Sequence, residues 1–245
     1  MNKLIKVLLW TIAFISVIFG LIRVALYLRS KLPNGEQKWL LRLETELNAK
    51  YLKMHRFNRT SGFASAFDYV KDDPRLRRAL IIGDSISIKY TSFVRKLLKG
   101  KVNVHRAPDR CDRITYGLKH IDRWLNNEHW DVIHFNFGLH DVNTTAEVYS
   151  TGLESLITVL KRTNATLIWA STTPALPLWM NSSINHLNTL AEEVMIRHNI
   201  PINDLGGLIN RHPHMPALFF SANHFTHETY LMLAAAIARE ILKVL

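Results

Sequence analysis

Five short apolar runs, Leu80–Ile82, Val102–His105, Val132–Phe137, Thr166–Ala170 and Ile200–Leu205, alternate with helix-length segments after Pro74. Stretches around Phe93–Leu98, Tyr116–Leu125, Tyr149–Leu160, Leu187–Arg197 and Tyr230–Leu245 follow them in turn. Runs that are short and apolar at nearly every position suit strands buried on both faces, and strand–helix alternation is the pattern of parallel βαβ units. Right-handed crossovers then lay helices over both faces of one sheet. The expectation is an α/β protein, a three-layer α/β/α sandwich on a parallel five-stranded sheet. With 48% hydrophobic and 21% charged residues, the 245-residue chain has material for one such core, and disorder is excluded as its dominant state.

The first run leads directly into chemistry. Ala79-Leu80-Ile81-Ile82-Gly83-Asp84-Ser85 reads as a buried strand ending in a glycine turn that displays a serine. Open parallel sheets bind ligands beyond the carboxyl ends of their strands, where loops converge. A serine there needs a base to take its proton and donors to hold the oxyanion formed on an attacked carbonyl. His140, in Gly138-Leu139-His140-Asp141, and His224, in Asn223-His224-Phe225-Thr226, each follow an apolar run and are candidates for these duties. Ser85 equally suits the cap of the helix that follows, and Asp84 suits bracing of the turn.

Gly83-Asp84-Ser85, Gly138-Leu139-His140-Asp141 and a histidine near the C-terminus together resemble the SGNH/GDSL hydrolase family over roughly residues 78 to 240. Val132 to Asp141 is similar to the bacterial branch in which histidine replaces the usual asparagine of the third block. The resemblance implies a flavodoxin-like sheet and a serine esterase, lipase or acyltransferase that needs no cofactor. Its expected substrates are small esters or acylated glycans, with O-acetylated carbohydrate the best single choice. It also implies Ser85 as nucleophile and His224 as general base, with His140 and the backbone N–H groups of Ser85 and Cys111 as oxyanion donors. Asp84, Gly138 and Asp141 are expected to support them.

Two departures from the family pattern stand out. The aspartate expected three residues before the last histidine is replaced by Ser221, which leaves a Ser85–His224 dyad, orientation by Asn223 or Ser221, orientation by Asp204, or loss of catalysis as alternatives. The loop after the second strand, Ala107 to Arg113, has no glycine to offer an oxyanion donor, so the N–H of Cys111 or Asp112 must serve. Ser171-Thr172-Thr173-Pro174 is expected to line the acyl or leaving-group pocket. Asp109, Asp112, His105 and His140 lack the spacing of metal ligands, so no metal is expected.

The N-terminus has a different character. Val7 to Ile22 contains no charge, and through Leu28 the 22-residue run would extend about 33 Å as a helix, enough for a hydrocarbon core of about 30 Å. No small-x-small cleavage site follows, so residues 1–30 are expected to be an uncleaved single-pass membrane anchor. Residues 31–73 then form a juxtamembrane segment: a turn at Pro33-Asn34-Gly35, an amphipathic helix on Leu40, Leu43, Leu47, Tyr51 and Met54, and a linker. Residues 74–245 are the hydrolase-like domain. Arginine and lysine counting favours a cytoplasmic domain, whereas the implied substrates favour an extracytoplasmic one, and the latter is expected. The formal charge of +11 suits contact with membrane lipid, and no nucleic-acid motif accompanies it. Cys111 is the only cysteine, which excludes an intrachain disulfide.

Overall fold

The computed structural model of the chain describes residues 66–67, 70–176 and 178–245. The expected membrane anchor and nearly all of the juxtamembrane segment lie outside these residues. Among the described residues no helix is long and apolar enough to cross a membrane.

The chain order is β1 (Arg77–Ile82), α1 (Ser85–Leu97), β2 (Val102–Arg106), α2 (Ile114–Leu125), β3 (Val132–Phe135), α3 (Ala146–Lys161), β4 (Thr166–Ala170), α4 (Asn181–Arg197), β5 (Ile202–Asn203), α5 (Leu205–Asn210), β6 (Phe219–Ser221), β7 (His224–Phe225) and α6 (His227–Lys243). Strands β1 to β5 form one parallel sheet in the order β2-β1-β3-β4-β5, the expected flavodoxin-like arrangement. Strand β1 therefore lies at the switch point, with β2 on one side and β3 on the other.

Residue alternation along the strands divides the core into two layers. Ala79 and Ile81 of β1 pack with Val94 of α1 and Leu233 and Ile237 of α6. Leu80 and Ile82 point the other way and join Ile121 of α2, Leu156 of α3 and Val194 of α4. Both faces are covered because both sets of side chains are apolar, and each large aliphatic buried this way contributes about 1.5–3 kcal/mol.

Two details depart from the sequence expectation. β5 is reduced to Ile202–Asn203: Pro201 has no N–H for the ladder, and Asp204 turns away to cap α5 by accepting the Gly207 N–H at 2.8 Å. The short antiparallel ribbon β6–β7 was not anticipated. It hangs on α6, where the Phe225 N–H donates to the Tyr230 hydroxyl at 3.3 Å, and within it the Phe219 and Phe225 rings pack at a tilt, 4.6 Å apart. The loop before α4 also grips it, since the Leu176 N–H donates to the Ala222 carbonyl.

Candidate active site

Ser85 is the first residue of α1, but it is not the cap. Asp84 takes that duty by accepting the Ile86 N–H at 2.9 Å, which leaves the serine hydroxyl available. The ribbon brings His224 to it. Nε2 of His224 lies 3.0 Å from Ser85 Oγ, and in the tautomer with the proton on Nδ1 the hydroxyl donates to Nε2. Burial, reinforced by the charges of Lys89 and Arg110 and opposed by Asp84, holds the His224 imidazole below the usual histidine range. It is therefore neutral at pH 7 and able to accept a proton.

Among the described residues no side chain bonds Nδ1 of His224. Ser221 stands opposite His224 in the ribbon register, but its side chain makes no hydrogen bond to the imidazole. Asp204, one of the sequence-level candidates for the orienting acid, is engaged elsewhere: it accepts from Ser171 Oγ at 2.9 Å and from Arg211 Nη1 at 2.9 Å while capping α5. Among the described residues, Ser85 and His224 therefore form a pair with no third side chain.

His140 stands in a turn of 3₁₀ helix, Leu139–Asp141, beyond β3. Its Nε2 is buried and makes no hydrogen bond among the described residues; Asp84 Oδ2 lies 3.9 Å away and Asp112 Oδ1 3.8 Å away. Burial raises the Asp84 carboxyl above its usual range, against the pull of the Ile86 N–H, His140, Arg106 and His224. Asp141 is fully buried and accepts the Ile114 N–H with both carboxylate oxygens, at 3.2 and 3.1 Å. It thereby supplies the cap that Arg113 does not give α2, and ties the His140 turn to the loop carrying Cys111. Gly138 is glycine for want of room, since a Cβ there would lie 2.1 Å from Thr172 Oγ1.

Cys111 has φ 49°, the left-handed conformation that glycine adopts without strain, so it occupies a glycine-like backbone position. Its side chain is buried in the α2–α3 layer, and burial pushes the thiol up to about 12, so it stays protonated. Among the described residues its backbone N–H donates to no acceptor.

One residue escaped the sequence reading. Arg106, at the end of β2, is almost fully buried and forms no ion pair among the described residues; its guanidinium instead joins two loops. On one side it donates to the carbonyls of Gly83 at 2.7 Å and Asp84 at 3.2 Å and to Ser87 Oγ at 3.0 Å. On the other it donates to the carbonyls of Ala107 at 2.5 Å and Asp109 at 2.7 Å. The serine turn and the Cys111 loop are thus held by one planar group. The available signal was a charged residue closing an otherwise buried strand.

Ser85, His140 and His224 open into a cleft of about 610 Å³ that Phe93, Phe220 and Tyr230 help to wall. Ser171, Thr172 and Thr173 are not part of it, contrary to the sequence expectation. They are buried behind Gly83 and Gly138, where Thr172 bonds Asn188 and Ser171 accepts the Gly206 N–H. Trp169 is core, and Trp179 is 77% exposed.

Solved structures with this architecture include a lipase/acylhydrolase from Enterococcus faecalis, 24% identical, with a TM-score of 0.61 over 67% of this chain and 95% of that one. An acetyl xylan esterase matches at 14% identity and TM-score 0.60 over 67% and 99% of the two chains. A putative SGNH hydrolase from Slackia heliotrinireducens matches at 17% identity and TM-score 0.56 over 68% and 100%. The domain has the SGNH hydrolase fold. No protein-family model and no curated protein sequence matches the chain. Within the SGNH fold, Ser85, the Gly138–His140 turn and His224 come from three segments, at the carboxyl ends of β1 and β3 and on the ribbon before α6.

Proposed function

We propose that this protein is a membrane-anchored serine esterase or acyltransferase that removes or transfers a short acyl group, O-acetyl on a carbohydrate in the first instance. The observation that carries the reading is the 3.0 Å approach of His224 Nε2 to Ser85 Oγ at the mouth of the cleft. Ser85 Oγ attacks the ester carbonyl and its proton passes to His224 Nε2. The tetrahedral oxyanion is held by His140 and by the N–H groups of Ser85 and Cys111. Collapse breaks the bond to the alcohol, which leaves with the proton from His224 and leaves the acyl group on Ser85. Water, or a sugar hydroxyl in a transferase, then attacks the acyl-enzyme and gives its proton to His224, which returns it to Ser85 as the product departs.

The names of the structural neighbours, an acylhydrolase and acetyl xylan esterases, favour acylated carbohydrate as the substrate class. Residues 1–30 hold the domain at the membrane, on its extracytoplasmic side where such esters occur. The deciding experiment is fluorophosphonate labelling of the full-length protein in detergent, with stoichiometric label on Ser85 as the expected result and no label on a folded protein as the refuting one. Carbonate washing of membranes and a reporter fused after Leu245 test the anchor and its orientation.

That no side chain among the described residues bonds Nδ1 of His224 favours a second reading, a catalytically silent module that keeps the cleft for acylated or anionic glycan. It predicts glycan binding without fluorophosphonate labelling.

A further inference from the structure

Arg106 joins the serine turn to the Cys111 loop through the N–H groups at the rim of its guanidinium, and a planar group of this kind also offers its flat face. Phe67 meets it. Cζ of Arg106 lies over the Phe67 ring, 5.2 Å from its centroid, and the electron-rich face of a ring attracts a cation most where water is scarce. Water is scarce here, since Arg106 is only 8% exposed. Phe67 belongs to the stretch through which the chain enters the domain, and that stretch is fastened along β2, an edge strand of the sheet. Ala66 is buried, and its carbonyl accepts from Arg95 Nη2 at 3.3 Å while Arg95 Nε donates to the Val104 carbonyl at 3.0 Å. Asp72 meets His105 Nε2 at 2.6 Å and Arg78 Nε at 2.8 Å. The Asp73 N–H donates to Asn103 Oδ1 at 3.0 Å, and Asn103 Nδ2 donates to the Asp73 carbonyl at 2.8 Å. From Asn103 to Arg106 these contacts lead from Asp73 back to Phe67, which therefore stands at the end of β2 that carries the active-site loops.

We infer that Phe67 is a positioning residue of the active site: its ring holds the Arg106 guanidinium in the place from which the serine turn and the Cys111 loop take their common reference. The inference rests on the esterase reading of the same site and adds that catalysis depends on the entering stretch staying docked on β2. Without the ring, water reaches the guanidinium and competes for its bonds to the carbonyls of Gly83 and Asp109. The N–H groups of Ser85 and Cys111 then lose their fixed spacing. That weakens their hold on the oxyanion more than it weakens binding of the ester, so the loss falls on kcat rather than on KM.

The test uses the full-length protein in detergent with p-nitrophenyl acetate. Phe67→Leu keeps apolar bulk and loses the ring, and its kcat falls by about tenfold with KM nearly constant, whereas Phe67→Trp, which keeps a ring face, retains kcat. In an Arg106→Lys background Phe67→Leu costs no more than about twofold, because its effect passes through the guanidinium that is already gone. Hydrogen exchange supplies a second readout: in Phe67→Leu the amides of the serine turn and of the loop from Ala107 to Arg113 exchange faster together, while those of β3 and β4 keep the parent rates and show that the fold is intact. Full kcat and unchanged exchange in Phe67→Leu overturn the positioning role and leave the esterase standing. Losses that multiply with Arg106→Lys overturn it as well, since Phe67 would then act apart from Arg106. No turnover by the parent protein, together with no fluorophosphonate label on Ser85, overturns the esterase reading and this inference with it.

Discussion

Ser85 Oγ and His224 Nε2 meet at 3.0 Å although 139 residues separate them in the chain. Each is braced independently, Ser85 by the Asp84 cap of α1 and His224 by a ribbon hung on Tyr230. Such a pair works as one unit, so its losses do not add. Against p-nitrophenyl acetate, Ser85→Ala and His224→Ala should each lower kcat/KM by about 10³ or more, and the double variant should lose little beyond either. Losses that multiply would show two independent contributions and remove the dyad.

His140 carries a buried Nε2 with no hydrogen bond among the described residues, beside the serine turn. A buried donor left without a partner in the resting site is costly unless the reaction supplies one, and an oxyanion does. His140→Ala should therefore slow acylation by about 10²–10³ with KM changed much less, the scale for losing one such donor. His140→Asn, which offers an amide N–H, should recover part of the rate. A loss confined to KM would make His140 a substrate contact only.

Arg106 binds the serine turn to the Cys111 loop through five hydrogen bonds from one guanidinium. Lysine cannot reproduce that fork, because its ammonium offers three donors from a single point. In Arg106→Lys, kcat should fall by about 10²-fold with KM nearly constant, since the nucleophile and the Cys111 N–H lose their common reference. Added guanidinium should restore part of kcat in Arg106→Ala and leave the parent protein unaffected. An unchanged kcat in Arg106→Lys would show that the two loops hold their places without it.

The sheet was legible because its strands are buried on both faces, so Leu80–Ile82, Val132–Phe135 and Thr166–Ala170 read as apolar runs whatever their neighbours. The β6–β7 ribbon was not, since Phe219–Ser221 and His224–Phe225 are too short for periodicity and owe their pairing to Tyr230 and Phe225. The residues brought together in the cleft carry motifs, and motifs survive in sequence. Arg106 carries none: its role comes from four carbonyls and a hydroxyl that converge only on folding. Asp204 failed as an orienting acid for a local reason, because an aspartate before Leu205-Gly206-Gly207 caps a helix more readily than it reaches another loop.

His134 sits in the middle of β3 with no exposed surface, paired through Nε2 with the Asn203 amide at 3.1 Å, while its Nδ1 has no partner among the described residues. Asn203 Nδ2 donates, so Nε2 is unprotonated and the ring is neutral. Burial lowers its pKa from 6.5 to about 4. Between those values the unfolded chain takes up a proton that the folded chain refuses. This contribution to stability is therefore complete above pH 6.5, declines as pH falls, and is exhausted near pH 4. The interval corresponds to about 3 kcal/mol. His134→Gln keeps an acceptor for Asn203 and does not titrate, so its stability loss between pH 7 and pH 4, measured by urea unfolding, should be smaller than that of the parent protein by about that amount. Equal losses in the two proteins would place acid sensitivity in the carboxylates instead.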